Sequence, residues 1–186
     1  MNDASRVPRS GRTLITGRSG VGKTRLTAAA LQRWLDECGP ADVVVLEFAP
    51  EVMHDGRLVG GRLHRHFDIP AQVWQGVIDA HAPRIEGNEP QEIDRLAKAN
   101  AIAAQRVIDA IPPDPMAVFI NDVTIPFHHP VASLDELLAK IRAAECVVIN
   151  AFDSDELESE SIAVRERSVL RALESWADHV VRLDAV

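Results

Sequence analysis

Residues 17–24, Gly-Arg-Ser-Gly-Val-Gly-Lys-Thr, carry the most specific chemical pattern in the chain. Glycines allow backbone torsions that turn consecutive N–H groups toward one point, and they leave room there for an anion. A helix starting at Lys23 directs its unpaired first-turn N–H groups and positive dipole end at the same point. From this position a lysine reaches the β- and γ-phosphates of a nucleoside triphosphate, and a threonine hydroxyl binds Mg2+. Lysine is scarce in this chain: only Lys23, Lys98 and Lys140 stand among 20 basic residues, the other 17 being arginine. One of the three sits where the pattern demands it.

Two carboxylates could serve that cradle. Asp122 closes the apolar run Met116–Asn121 and would be delivered to the carboxyl edge of a sheet, where ligands bind in parallel α/β folds. Glu47 interrupts the run Val43–Phe48, and a carboxylate inside an apolar strand is costly unless something needs it. The plainer alternatives are an aspartate that opens a turn and a strand-end glutamate that has reached solvent. Between residues 51 and 67, Arg57, Arg62 and Arg65 are interleaved with His54, His64 and His66. Arginine suits bidentate recognition of anions, so this segment could close over a phosphorylated or carboxylated substrate. Its plain alternative is a solvated loop paired with neighbouring acids.

The elements that must position these residues follow from apolar patterning. Short β-branched runs at 12–17, 42–48, 116–122, 145–152 and 179–185 alternate with helical stretches at 23–38, 71–80, 90–111, 133–144 and 160–177. Gly39-Pro40 stops the first helix, and Ser133 with Glu136 forms a capping-box signature for a later one. Residues 49–70 read as a long loop or a short irregular helix. The alternation predicts a three-layer α/β/α fold around a mainly parallel five-stranded sheet. Residues 1–10 read as a flexible arm, and 11–186 as a single domain.

In its loop motif and its order of strands and helices, the chain resembles the P-loop NTPase superfamily. The resemblance implies ATP or GTP as ligand, with Mg2+, and assigns Gly17, Arg18, Ser19, Gly20, Val21, Gly22, Lys23 and Thr24 to the nucleotide. It implies Thr24 and Asp122 as metal ligands, Asp122 resembling the Walker B aspartate. The glutamate that often follows that aspartate is replaced by Val123. In RecA-like ATPases a catalytic glutamate follows the second strand, so Glu47 resembles it, with Glu51 as the alternative. The implied activity is hydrolysis, coupled to an unidentified substrate or protein partner. Small P-loop kinases are similar too, with lid arginines where Arg165, Arg167 and Arg171 stand. Arg167 and Arg171 could equally pair with Glu160 and Glu174 along one helix face. A nucleotide-dependent switch with little turnover is the third reading, kept open by Val123. Strand order separates the first two. A fourth strand between the first and third favours the RecA-like form, whereas first and third side by side favour the kinase.

Composition bounds the partners. A net charge of −8 argues against a general nucleic-acid surface. No apolar run is long enough for a membrane span, and the first residues lack the apolar segment of a secretory signal. Two cysteines outside any CxxC pair fit a cytoplasmic protein with free thiols. No guanine-reading NKxD motif occurs, which tilts the expectation toward ATP. Exposed arginines are compatible with a homo-oligomer.

Overall fold

The computed structural model describes residues 4–54, 56–153 and 161–183. In chain order the regular elements are β1 (Gly11–Gly17), α1 (Lys23–Cys38), β2 (Val43–Glu47), β3 (Glu51–His54), β4 (Arg57–Gly60), β5 (Trp74–Val77), α2 (Pro83–Glu86), α3 (Pro90–Asp109), β6 (Ala117–Asn121), α4 (Leu134–Ile141), β7 (Cys146–Phe152), α5 (Ser161–Trp176) and β8 (His179–Leu183). The main sheet has six strands in the order β5-β2-β6-β7-β1-β8. Every pairing within it is parallel.

Alternate residues of the central strands enter two separate cores. Val44, Leu46, Val118, Ile120, Val147 and Ile149 pack with residues of α3, α4 and α5. Their neighbours Val43, Val45, Ala117, Phe119, Cys146 and Val148 pack with Leu26, Leu31 and Trp34 of α1. Side chains alternate across a pleated strand, so a strand apolar at every position must be covered on both faces. β2 and β6 are buried throughout. The helices therefore lie on both sides of the sheet, consistent with a three-layer arrangement.

Two expectations need correction. The sheet has six strands instead of five, because residues 74–77 form edge strand β5 where the sequence reads as a helix over 71–80. Val73, Trp74, Val77 and Ile78 do fall at helical spacing. Without β5, however, the outer edge of β2 would present unpaired backbone groups, and pairing from Val44↔Trp74 to Glu47↔Val77 satisfies them. Residues 49–70, expected to be irregular, contain the antiparallel hairpin β3–β4, paired from Glu51↔Gly60 to His54↔Arg57 as a separate ribbon. The Ser133 cap forms as its sequence signature predicts, the Ser133 hydroxyl accepting from the Glu136 N–H at 3.2 Å.

The segment ahead of β1, read as an arm, lies against α1 from residue 4 onward. Val7 is buried, and Arg33 donates to the carbonyls of Ala4 and Val7 at 2.5 and 2.7 Å. Among the described residues no helix is long and apolar enough to cross a membrane.

Candidate functional site

The carboxyl ends of the parallel strands bring the chemistry together. Gly17 is in register with Phe152 of β7 and Leu183 of β8, while Glu47 is in register with Asn121. The loop leaving β1, Glu47 and Asp122 thus occupy one edge of the sheet, where sequence reasoning places them.

Gly17, Gly20 and Gly22 all have positive φ, at 149°, 79° and 97°. At Gly17 a Cβ would collide with the Leu183 carbonyl, so the turn out of β1 requires glycine. Gly22, left-handed, is the N-cap residue of α1 and provides no side-chain cap. The first turn of α1 contains Lys23 and Arg25 and no acid, although a helix N-terminus disfavours cations. An anion at this end would relieve that conflict. Lys23 folds over the loop, its Nζ donating to the carbonyls of Gly17 and Arg18, each at 2.7 Å. Burial lowers its pKa, opposed by the charges of Asp122 and Asp153. Arg18, Ser19 and Gly20 are exposed, so the loop is open to a ligand.

Asp122 follows β6 with a φ of 58°, a left-handed conformation that aspartate tolerates better than most side chains. Its N–H donates to Asn150 Oδ1 at 2.9 Å. Its own Oδ1 is enclosed and has no hydrogen-bond partner among the described residues. Burial pushes the Asp122 carboxyl above its ordinary range, against the opposing charges of Lys23 and His128. An enclosed carboxylate oxygen without a donor, beside a lysine and a threonine-bearing loop, fits Mg2+ as a ligand. Among the described residues no three His, Cys, Asp or Glu side chains are grouped to hold a metal ion. A cation held partly by phosphate oxygens does not require such a group.

Glu47 is 1% exposed, and burial pushes its carboxyl up to about 7. Oε1 accepts the Leu63 N–H at 2.7 Å, and Oε2 accepts Asn121 Nδ2 at 2.8 Å. Asn121 continues the network. Its Nδ2 also donates to the Gly61 carbonyl at 2.8 Å, and its Oδ1 accepts from the Thr24 hydroxyl at 3.2 Å and from Asn150 Nδ2 at 2.9 Å. Asn150 Nδ2 further donates to the Thr27 hydroxyl at 2.9 Å. The loop threonine is thereby connected through Asn121 to Glu47 and to the segment that follows β4.

Sequence reasoning missed Asn121, Asn150 and Thr27. A signal existed for the two asparagines: each follows an isoleucine near the carboxyl end of an otherwise apolar buried strand. A buried amide in that setting must find partners, and here the two amides find each other.

The arginine segment is more self-contained than expected. Arg65 Nε contacts Glu51 Oε1 at 2.5 Å, and Arg62 Nε lies 3.9 Å from Glu51 Oε2. Arg62 also donates to the Ile78 carbonyl at 2.9 Å, tying the segment to the residue after β5. These pairings hold Glu51 below its ordinary carboxylate range despite the opposing effect of burial. The backbone of Arg57 opens β4, while its side chain lies outside what the structure describes. On α5, Glu174 pairs with Arg182 of β8 at 2.7 Å, and Glu160 lies outside the described residues.

A scan against protein-family models finds no matching family, and a search of curated proteins finds no matching relative.

Proposed function

We propose that the chain binds a nucleoside triphosphate with Mg2+, ATP in preference to GTP, and hydrolyses its γ-phosphate in the service of a substrate or protein partner. The observation that carries this reading is the enclosed Asp122 Oδ1, without a hydrogen-bond partner among the described residues, in the field of Lys23 at the edge where the glycine loop opens. Lys23 would leave the Gly17 and Arg18 carbonyls for the β- and γ-phosphates, and residues 17–24 would cradle them. Thr24 and Asp122 are the residues that would hold Mg2+, which when bound neutralises charge on the phosphate oxygens. Glu47 is proposed to orient the attacking water, and Arg62 and Arg65 to meet an anionic second ligand by exchanging away from Glu51.

Strand order supports hydrolysis over transfer to a small molecule. β7 lies between β1 and β6, the arrangement expected of RecA-like organisation within a P-loop fold. The edge strand β5 extends that sheet beyond β2 without disturbing the central order.

The test joins equilibrium nucleotide binding to phosphate release with Mg-ATP and Mg-GTP. Wild type is expected to hydrolyse ATP slowly. Lys23→Ala should abolish both binding and turnover. Glu47→Gln should keep affinity within about threefold and lower turnover about 100-fold, the size of a lost acid–base or orienting group. A wild-type chain that binds neither triphosphate in the presence of Mg2+ would overturn the proposal. Unchanged turnover in Glu47→Gln would remove that residue from the chemistry.

A further inference from the structure

Arg84, His128 and Glu166, from three different elements, meet in one cluster. Arg84 lies in α2, His128 ends the short 3-10 turn Ile125–His128 that follows β6, and Glu166 faces inward from α5. His128 and Glu166 are 5% and 4% exposed. His128 Nε2 lies 2.6 Å from Glu166 Oε1, and Arg84 donates to Glu166 Oε2 at 2.7 Å. Burial by itself would raise the Glu166 carboxyl, but the contact with His128, its charge and Arg84 together hold it below its ordinary range. The carboxylate is therefore an acceptor, and the proton between the two groups belongs to Nε2.

That hydrogen bond fixes the imidazole ring and leaves Nδ1 over. Nδ1 is enclosed with no hydrogen-bond partner among the described residues. An unsatisfied buried polar atom is destabilising. The tie to Glu166 uses Nε2 alone, so Nδ1 takes no part in it. The turn that ends in His128 folds back on Asp122, the Ile125 N–H donating to the Asp122 carbonyl at 3.3 Å, so the cluster stands at the carboxyl edge that also carries the glycine loop, and the Asp122 carboxyl feels the charges of both His128 and Glu166. Glu47 differs in kind, because each of its oxygens already accepts an N–H from a fixed partner.

We propose that His128 Nδ1 accepts the proton of the water that attacks the γ-phosphate, with Glu166 and Arg84 as positioning residues. This rests on the hydrolytic reading above. The water oxygen forms a bond to the γ-phosphorus as its proton passes to Nδ1. The bond from that phosphorus to the β–γ bridging oxygen breaks, and its electron pair leaves with the nucleoside diphosphate. Nε2–H stays on the ring, the imidazolium charge is held against Glu166, and the proton then passes to the released phosphate or to solvent. Among the described residues, Glu166 from α5, Arg84 paired to it from α2, and Asp122 after β6 are the charged groups that act on His128 or on its carboxylate. α3 packs against this turn, and its buried residues, Leu96, Asn100 and Ala104 among them, carry no charge.

The test is the pH–rate profile of phosphate release, with Mg-ATP affinity measured for every variant. His128→Gln should lower the rate by about 10²–10⁴ and flatten the acidic limb while affinity stays within about threefold. Glu166→Gln should move the acidic limb to lower pH, because the imidazolium loses its carboxylate. Arg84→Gln, on a half-buried side chain, should move it to higher pH, because a neighbouring cation is gone. A merely structural cluster shifts the limb in neither direction. His128→Gln turnover within about threefold of wild type overturns the proposal, as does an acidic limb unmoved in both other variants. Absence of ATP binding by wild type would instead sink the hydrolytic reading.

Discussion

Glu47 carries a measurable consequence at the scale of single residues. Its carboxyl titrates near 4.5 when exposed and near 7 in the fold, chiefly through burial. The folded chain thus holds this proton more tightly than the unfolded chain. The corresponding stability is fully present below about pH 4.5 and is lost as pH rises through about 7. The shift corresponds to a loss on the order of 3 kcal/mol across that window. Urea denaturation at pH 5 and pH 7.5 should therefore show wild type losing stability relative to Glu47→Gln, which cannot ionise. Parallel losses in the two proteins would mean that Glu47 does not titrate in this way. Asp122 follows the same logic, with a raised carboxyl, a left-handed backbone and an oxygen lacking a donor all gathered on one residue. Such local costs persist where the surrounding structure enforces them, and they concentrate at functional sites.

Among the elements, β5 departs furthest from its sequence reading, strand in place of helix, and the cause is a contact outside its own segment. Gly76 is buried against α3, and a Cβ placed there would collide with Val107 and crowd Trp74. A close approach of strand to helix is what this glycine provides, and helical spacing within 71–80 contains no hint of it. Gly76→Val should cost about 1–3 kcal/mol by overpacking the β5–α3 contact, read as a lower urea midpoint with an unchanged slope. Full retention of the midpoint would show that β5 can leave α3 freely. α1 and α4 behave in the opposite way, because their ends are written locally. Gly39 closes α1, and its N–H reaches the Leu35 carbonyl at 3.0 Å, while Ser133 caps α4.

For the whole molecule, the proposed phosphate site would link ligand binding to global stability. A ligand that binds only the folded chain stabilises it by about 2.7 kcal/mol at 100 times its Kd, or several degrees in Tm for a domain of this size. Mg-ATP should raise the wild-type Tm accordingly. Asp122→Asn should lose most of that rise in Mg2+ while matching or exceeding the wild-type Tm without ligand, since it removes a charge that burial disfavours. A ligand-free Asp122→Asn melting well below wild type would make Asp122 a structural residue. Much of this architecture is legible in the chain itself. The glycine loop running into α1, the continuous apolar strands and the Ser133 cap depend on neighbours in sequence, so local patterning determines them. Asp122 and Glu47 are marked as carboxylates at strand ends for the same reason. The sequence could not order the strands, supply β5, join Asn121 to Thr24 and Glu47, or bring His128 to Glu166 across 38 positions. Each of these is a contact between distant segments. It exists only once the sheet has stacked its carboxyl edges, because burial then obliges every polar group left there to find a partner.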